Sequence, residues 1–377
     1  MGTVSKKITI FGSTGVIGQK SIEAAYSAGY EIVAITGHKN CEELIRQAGV
    51  CRPRYVCCSD PDSYKKVKSE IMGAKVLPGN EIANISKLEV DCCVMAIAGI
   101  ASFPPTFACL GHAKRLAIAS KEAILLGGKI LMDSAKSGNT EIIPLDSEHN
   151  AIFRCLQHES QSSVSGIILT ASGGSFLDFT EDSLKRVTIS DALKNPNWRM
   201  GAKVTIDSAT LINKAIEIIE ASILFDLPIN KVSYVIHPES IIHGLAQFHD
   251  NSYKALLSYP DMMGPISYAI NHQEQQFRCS TPSLNFVDIK KLTFRSPRAW
   301  QKRNADLAYS VFNEGKIIAF SIANEIAVSE FLNGRIKFCE IYDSIVRMLN
   351  ACDRENIGSY DDITALVREY VTKFAKT

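Results

Sequence analysis

The chain has 377 residues, 46% of them hydrophobic and 21% charged, with a formal net charge of +1. That length exceeds one ordinary core, and that profile excludes a disordered chain. Near-neutral charge leaves no broad footprint for nucleic acid or an anionic membrane, so any bound anion has to be held by a local site.

The first part alternates strand and helix. "KKITIFG" reads as a strand, and "GQKSIEAAYSAG" as a helix stopped by Gly29. "YEIVAITG" is a second strand, and "NCEELIRQAGV" a helix with Asn40 as its N-cap. "RYVCCS" and "DPDSYKKVKSEIM" repeat the unit, and "VDCCVMAIAG" and "KRLAIAS" are strands apolar on both faces. This order predicts an α/β class with a doubly wound, Rossmann-like parallel sheet over residues 1–145.

Residues 146–272 differ. "VSGIILTASGG", "KVSYVIHP" and "IIHGLAQFHD" read as strands around one long helix, "SATLINKAIEIIEASILF", which predicts a central α+β catalytic domain. Residues 273–303 read as a polar linker. From about Asn304 apolar residues recur at helical spacing, so 304–377 is expected to be a C-terminal helical domain.

The 11 cysteines show no C-x-x-C spacing, and Cys57–Cys58 and Cys92–Cys93 are adjacent pairs, poor disulfide partners. Most lie in apolar runs, which predicts buried thiols in a reducing cytoplasm and neither a disulfide framework nor a zinc ribbon. "MGTVSKK" runs into a strand without a signal or transit pattern, and no apolar run is long enough to span a bilayer. A cytoplasmic protein without membrane or nucleic-acid partners is expected.

"FGSTGVIGQKSIE" carries Gly12, Gly15 and Gly18 in G-x-x-G-x-x-G spacing between a strand and a helix. Such glycines permit a tight turn, close approach of a pyrophosphate, and close helix–strand packing. The second strand ends in Gly37, His38, Lys39 and Asn40, with no carboxylate for a ribose hydroxyl. A cation there favours a 2′-phosphate, so NADP(H) rather than NAD is expected.

"PLDSEHNAIF" places Asp146 and Glu148 two residues apart, with His149 next. It reads either as a turn in which Asp146 or Ser147 caps a helix, or as half of a site for a hard divalent cation. On the long helix Asn213, Lys214, Glu217 and Glu220 share one face. That stripe is either a solvated face with a Lys214–Glu217 pair or a third carboxylate for the metal; Asp207 or Ser208 is the expected N-cap.

Together these segments resemble the 1-deoxy-D-xylulose 5-phosphate reductoisomerases. The resemblance covers nearly the whole chain and includes "GSTGVIG", "MAIAGIASFPPT", "ASKEAILLGG", "PLDSEHNAIF", "NPNWRMGAKVTIDSATLINKAIEIIEASILF" and "YPDMMGPISYAI". It implies an NADPH-dependent enzyme, with Mn²⁺ or Mg²⁺ (Co²⁺ a further option), acting on a small phosphorylated sugar as a homodimer. The reaction implied is a metal-assisted skeletal rearrangement followed by hydride transfer.

The same resemblance implies residue roles. Gly12, Ser13, Thr14, Gly15, Val16 and Ile17 would hold the pyrophosphate, and Gly37, His38, Lys39 and Asn40 the adenosine ribose and its phosphate. Ala96, Ser120, Lys121 and Glu122 would line the nicotinamide side, with Gly201 and Met262 completing the cofactor contacts. Asp146, Glu148 and Glu217 would bind metal. Substrate would meet Ser147, Lys121, Ser172, Ser208, Asn213, Lys214, Glu217 and His243, with catalytic roles for Glu148, Lys121 and Lys214. "NPNWRMG", in a lid near 193–201, would bring Asn195 and Trp198 over the substrate. His237 reads as structural or as part of the pocket.

Two positions depart from the family pattern: Ser120 where "ANKE" has Asn, and Asn195 where His precedes "PNW". "SIANE" also replaces "NAANE". Two other readings use the same glycine turn. A semialdehyde dehydrogenase needs a nucleophilic cysteine, for which Cys155 is poorly placed, and a non-catalytic NADP sensor has no use for three convergent carboxylates.

Overall fold

The computed structural model describes residues 6–194, 200–271 and 279–375. In chain order the strands are β1 (Lys7–Phe11), β2 (Glu31–Gly37), β3 (Tyr55–Cys58), β4 (Lys75–Pro78), β5 (Cys92–Met95) and β6 (Arg115–Ile118). Then come β7 (Glu141–Pro144), β8 (Val164–Ala171), β9 (Val232–Ile236), β10 (Ile242–Phe248) and β11 (Tyr253–Leu257). The longer helices are α1 (Val16–Ser27), α2 (Cys41–Cys51), α3 (Pro61–Glu70), α4 (Lys121–Ser137), α5 (Ser147–Cys155) and α6 (Ala202–Thr210). They continue with α7 (Ile212–Leu224), α8 (Met263–Asn271), α9 (Ala299–Glu314), α10 (Ile317–Leu332), α11 (Ile341–Asn350) and α12 (Tyr360–Phe374).

The elements gather into two compact units. One takes Met1–Ala123, Leu131–Asn150 and Asp261–Pro282; the other takes Ile124–Ile130, Ala151–Pro260 and Ser283–Thr377.

The first unit holds a seven-stranded sheet in the order β4-β3-β2-β1-β5-β6-β7, parallel at every pairing. This is the doubly wound sheet expected, with strand order reversing between β1 and β5. Its central strands are buried on both faces: Ile8, Ile10, Phe11, Val94, Met95 and Leu116 have no exposed surface. Cys57, Cys58, Cys92 and Cys93 are part of that packing, and all eleven cysteines are free thiols. Burial pushes the Cys57 and Cys92 thiols up to about 12. The edge strands β4 and β7 were not anticipated. Each is four residues long and ends in proline (Pro78, Pro144), which lacks the N–H that an inner strand must donate.

Helix starts follow their capping chemistry. Asn40 accepts from the Glu43 amide and Asp60 from the Ser63 amide, with Pro61 opening α3. Gly29, at φ 73°, ends α1 as expected. α8 lies within the span 146–272 expected to form the catalytic domain, yet it packs against α1 and β6. Buried Arg115 holds its far end, donating from Nη1 to the carbonyls of Ala269 (3.1 Å) and Ile270. The Tyr30 hydroxyl donates to the Ile270 carbonyl as well, at 3.0 Å.

The second unit holds a four-stranded sheet, β11-β10-β8-β9, antiparallel except for the β8–β9 pair. β11 was another unanticipated edge strand; Tyr253, Lys254 and Ala255 on it are exposed. The expected single helix over 208–224 is two, because Leu211 sits in the left-handed region at φ 62° between α6 and α7. Asp207 and Ser208 therefore lie inside α6, whose N-cap is Gly201, and cap nothing.

The C-terminal region is helical, as expected, and α9 packs along α7, so it shares a core with the central sheet. α9 starts at Ala299, inside the expected linker 273–303. Arg295, also in that stretch, exchanges both main-chain hydrogen bonds with Ile236 of β9, at 2.8 and 3.1 Å. No helix among the described residues is long and apolar enough to cross a membrane.

Glu355 joins the start of α10 to the end of α9. Its amide donates to the Gly315 carbonyl (2.8 Å), and its carboxylate accepts from the amides of Ile318 (3.0 Å) and Ala319 (2.7 Å). Burial raises its pKa from 4.5 to about 7, against the pull of those amides. A raised carboxyl pKa favours the protonated form in the folded state. Its contribution to stability is therefore complete below pH 4.5 and fades as pH rises through about 7. Glu355→Gln is expected to remove this share of the fall in Tm across that window; an unaltered Tm–pH slope would count against it.

Candidate active site

β1 ends at Phe11, and the chain turns at Gly12 with φ 74°. A Cβ on Gly12 would lie 2.5 Å from the Ala96 carbonyl oxygen, and one on Gly18 would lie 2.3 Å from that of Gly12. The first glycine lets the turn lie against the end of β5; the second lets α1 lie against the turn. Gly15 is the N-cap of α1. No side chain caps this helix and its first turn holds no acidic residue, whereas α2 has both Asn40 and Glu42–Glu43. The positive end of α1 is thus left to an anion from outside the chain. Thr14, Val16 and Ile17 are partly or well exposed around it.

Ser13 is the exception in this turn. It is fully buried, and its amide donates to the Thr36 carbonyl at 2.8 Å. Its hydroxyl lies 2.7 Å from Gln47 Oε1 and 3.1 Å from the Thr36 carbonyl oxygen. Gln47 Nε2 donates back to the Ser13 carbonyl at 2.8 Å, and the Gly12 amide donates to Thr36 Oγ1 at 2.9 Å. Ser13 therefore shapes the turn from behind.

At the end of β2, Gly37 is buried, while His38, Lys39 and Asn40 are exposed. The Asn40 side chain is occupied in capping α2. His38 Nδ1 lies 2.9 Å from Ser59 Oγ. The Asp60 carboxyl is held below its usual range by hydrogen bonds from Ser63, helped by the charges of His38 and Lys39.

Ala96 and Ser120 follow β5 and β6. The Ala96 amide donates to the Phe11 carbonyl at 2.9 Å, and the Ser120 hydroxyl donates to the Ile97 carbonyl, tying the two strand ends together. Lys121 and buried Glu122 open α4. Lys121 forms an ion pair with Asp146, whose carboxylate also lies 3.4 Å from His149 Nδ1. The turn into α5 is held by Asn150, whose amide donates to the Asp146 carbonyl (2.8 Å) and whose Nδ2 donates to that of Pro144 (3.0 Å). The Ser147 hydroxyl donates to Glu148 at 2.6 Å.

In the second unit the loop after β8 lies against α6: a Cβ on Gly174 would be 2.4 Å from the Ser208 carbonyl oxygen. That loop carries Ser172, whose hydroxyl accepts from the Gly174 amide at 3.3 Å. The polar stripe on α7 is not a solvated face. Lys214 is 2% exposed, Glu217 0% and Glu220 1%. Lys214 Nζ donates to the Thr170 carbonyl at 2.6 Å and to one oxygen of Glu217; Asn213 Nδ2 donates to the other. This leaves Asn213 Oδ1 buried without a donor among the described residues.

In the first unit Asp146 and Glu148 offer two carboxylates at the start of α5, hard oxygen donors of the kind that suit Mg²⁺ or Mn²⁺. Glu217, in the second unit, offers a third carboxylate already fixed by Lys214 and Asn213.

His243 is buried, with Nε2 at 3.3 Å from the Ser258 carbonyl oxygen, and Met262 is half-buried at the start of α8. Gly201 is exposed. His237 is structural: its Nδ1 donates to the Thr293 carbonyl (2.8 Å) while Nε2 accepts from the Ile241 amide (3.2 Å). Asn195 and Trp198 lie outside the described residues. Cys155 is a buried thiol whose pKa is raised by desolvation, the opposite of an activated nucleophile, which goes against the semialdehyde dehydrogenase reading.

Residues 8–128 match the family model of 1-deoxy-D-xylulose 5-phosphate reductoisomerase. Residues 142–225 and 257–371 match models of C-terminal domains of that enzyme. A curated reductoisomerase of this name from Wolbachia pipientis wMel is 39% identical over 96% of this chain and 93% of its own length. That of Thermoanaerobacter pseudethanolicus is 37% identical over 98% and 99%. The Zymomonas mobilis enzyme, solved in complex with NADPH, superposes with a TM-score of 0.90 at 29% identity, covering 99% of both chains. A reductoisomerase solved with NADPH, fosmidomycin and magnesium gives 0.92 at 31% identity over 98% of each.

Gln47, which braces the glycine turn, was missed in the sequence because it sits mid-helix with no motif around it. Gln47→Leu strips the buried Ser13 carbonyl of its partner and leaves the Ser13 hydroxyl only the Thr36 carbonyl, a loss of about 1–3 kcal/mol. A lower Tm and weaker NADPH binding are expected together; unchanged values for both would show the brace to be idle.

Proposed function

The chain belongs to the 1-deoxy-D-xylulose 5-phosphate reductoisomerase family, and from that premise we propose how its residues divide the reaction. It is an NADPH- and divalent-metal-dependent reductoisomerase. It converts 1-deoxy-D-xylulose 5-phosphate to 2-C-methyl-D-erythritol 4-phosphate in isoprenoid precursor synthesis. Bound Mg²⁺ or Mn²⁺ supplies Lewis acidity at the substrate's ketone and neighbouring hydroxyl, and NADPH supplies the hydride. The observation that supports the residue assignment is the pair of carboxylates Asp146 and Glu148 at the start of α5, together with the buried Glu217 carboxylate that Lys214 and Asn213 hold in the second unit.

In this reading Asp146, Glu148 and Glu217 hold the metal. Lys121 fixes the Asp146 carboxylate, and Lys214 with Asn213 fixes that of Glu217, so the donors need little reorganisation. Glu148, the partly exposed member of the set, handles protons near the reacting carbons, with the Ser147 hydroxyl donating to it. The donorless Oδ1 of Asn213 takes a substrate hydroxyl, which removes the penalty of a buried orphan acceptor. Ser172, Ser208 and Lys214 serve the phosphate end with His243 beside them.

The cofactor lies along the first unit. Its pyrophosphate meets the uncapped start of α1 from Gly12 to Ile17, apart from the inward-turned Ser13 side chain. His38 and Lys39 take the 2′-phosphate beside Gly37 and Asn40. Ala96, Ser120, Glu122 and Met262 flank the nicotinamide; Gly201, in the second unit, keeps its cofactor role on the family likeness alone. A homodimer in the cytoplasm is the setting we infer, on the family likeness and on eleven free thiols.

With the substrate and Mn²⁺ or Mg²⁺, the purified protein is expected to oxidise NADPH, and EDTA to stop it. Turnover that survives EDTA would sink the metal reading. Asp146→Asn is a cleaner test of ligation than a change at Glu217, which would strand buried Lys214. It is expected to lower kcat by about a hundredfold or more, and to abolish the rise in Tm caused by fosmidomycin with magnesium. Lys39→Ala is expected to raise KM for NADPH by roughly tenfold while leaving KM for NADH unchanged; equal effects on both cofactors would place the 2′-phosphate elsewhere.

A further inference from the structure

We propose that the Lys20–Asp261 ion pair is a positioning device for Met262, tying the nicotinamide side of the cofactor site to the helix that starts at its phosphate side. The proposal rests on the reading of Met262 as a cofactor-side residue. Neither Lys20 nor Asp261 belongs to a glycine turn, a carboxylate set or a substrate contact.

Lys20 lies on α1, two residues past Gly18. Its Nζ is 2.7 Å from Asp261 Oδ1, and the same oxygen accepts the Met263 amide at 2.8 Å. Met262 is therefore held on both sides, by the side chain of the residue before it and the main chain of the residue after it. Burial would raise the Asp261 carboxyl, but the Lys20 ammonium and the Met263 amide outweigh it and keep the group below its usual range. The Gly264 amide donates to the Asp261 carbonyl at 3.2 Å, closing the turn.

The other end of α8 cannot slide to compensate. Arg115 and the Tyr30 hydroxyl hold the carbonyls of Ala269 and Ile270, and Met263 is 4% exposed in the packing below. A nine-residue helix pinned at its C-terminal end has its starting angle set by what grips its first turn, and that grip comes from α1. Both side chains of the pair are about a third exposed, at 32% each. Such a pair adds little to global stability. Its effect belongs in the placement of Met262 and not in folding.

Four variants test this: Lys20→Met, Asp261→Asn, Lys20→Arg and Met262→Ala. The readouts are Kd for NADPH by fluorescence titration of the metal-free protein, KM and kcat of the complete enzyme, and Tm without ligands. Lys20→Met and Asp261→Asn should each raise Kd and KM for NADPH by roughly three- to fivefold, with kcat and Tm near wild type. Lys20→Arg, which keeps a cation in reach, should restore both constants. A wild-type Kd in Lys20→Met, or a lowered Tm with Kd unmoved, overturns the positioning role. If Met262→Ala binds NADPH as tightly as wild type, the premise about Met262 falls and the proposal with it. If Met262→Ala is weakened while Lys20→Met is not, the brace alone fails.

Discussion

The second unit depends on one buried ion pair. Lys214 and Glu217 are both essentially without exposed surface, on adjacent turns of α7. Neither charge survives there without a partner, and losing one partner of such a pair costs about 3–5 kcal/mol, a large share of a domain's stability. The surroundings are committed to holding it. The Thr170 carbonyl at the end of β8 takes one proton of the ammonium, and the Thr170 hydroxyl donates toward the carbonyls of Ile242 (2.7 Å) and His243 (3.0 Å) on β10. Strand end, helix start and ion pair form one arrangement. A carboxylate so fixed keeps its oxygens in place for a cation.

The first unit obeys a different constraint, close approach of main chains. β1 and β5 end side by side, and no side chain fits between the Gly12 turn and Ala96. Anchoring there comes from behind, through Ser13, Thr36 and Gln47, and the start of α1 carries no side-chain cap. The contrast with α2 and α3 carries the argument. Those helices satisfy their own first turns with Asn40 and Asp60, and α1 alone of the three does not.

The parallel sheet was legible because its inner strands are short runs apolar on both faces, and because Asn40 and Gly29 mark helix ends by local chemistry. β4, β7 and β11 were not, since an edge strand needs neither a continuous apolar run nor a full set of amide donors. The helix stripe was left between two readings for a deeper reason. Asn213, Lys214, Glu217 and Glu220 have the composition and spacing of a solvated face. Only the neighbours they acquire in three dimensions, such as the Thr170 carbonyl, make burial tolerable. Leu211 likewise gives no sign that it takes a left-handed conformation, which a side chain adopts only when the fold imposes it. The glycine turn pointed to a phosphate from the start, "DSEHNAIF" stayed open between a helix cap and half of a metal site until the resemblance was drawn, and Gln47, Arg115 and Lys20 carry their roles in long-range contacts that no local pattern announces.

The break at Leu211 also explains why the C-terminal helices share a core with the central sheet. Ending α6 at Thr210 leaves its last carbonyls without the amides of a continuing helix. The Thr210 hydroxyl turns back to the carbonyls of Ile206 and Asp207, and the Leu211 amide reaches that of Ser208. The Thr210 carbonyl itself takes Nδ2 of Asn304 from α9, at 2.9 Å. One turn earlier on α9, Gln301 donates to the Gly173 carbonyl at 3.1 Å, and Asn324 on α10 donates to Asp207 at 3.0 Å. All three amides are used as donors toward the β8 loop and the α6–α7 junction, and the oxygens of Asn304 and Asn324 are left buried without donors among the described residues. Through Asn304 the C-terminal helices thus supply one donor that the end of the broken helix lacks. The broken helix in turn lets Ser208 and Lys214 stand on two separate helices, each three residues from Leu211.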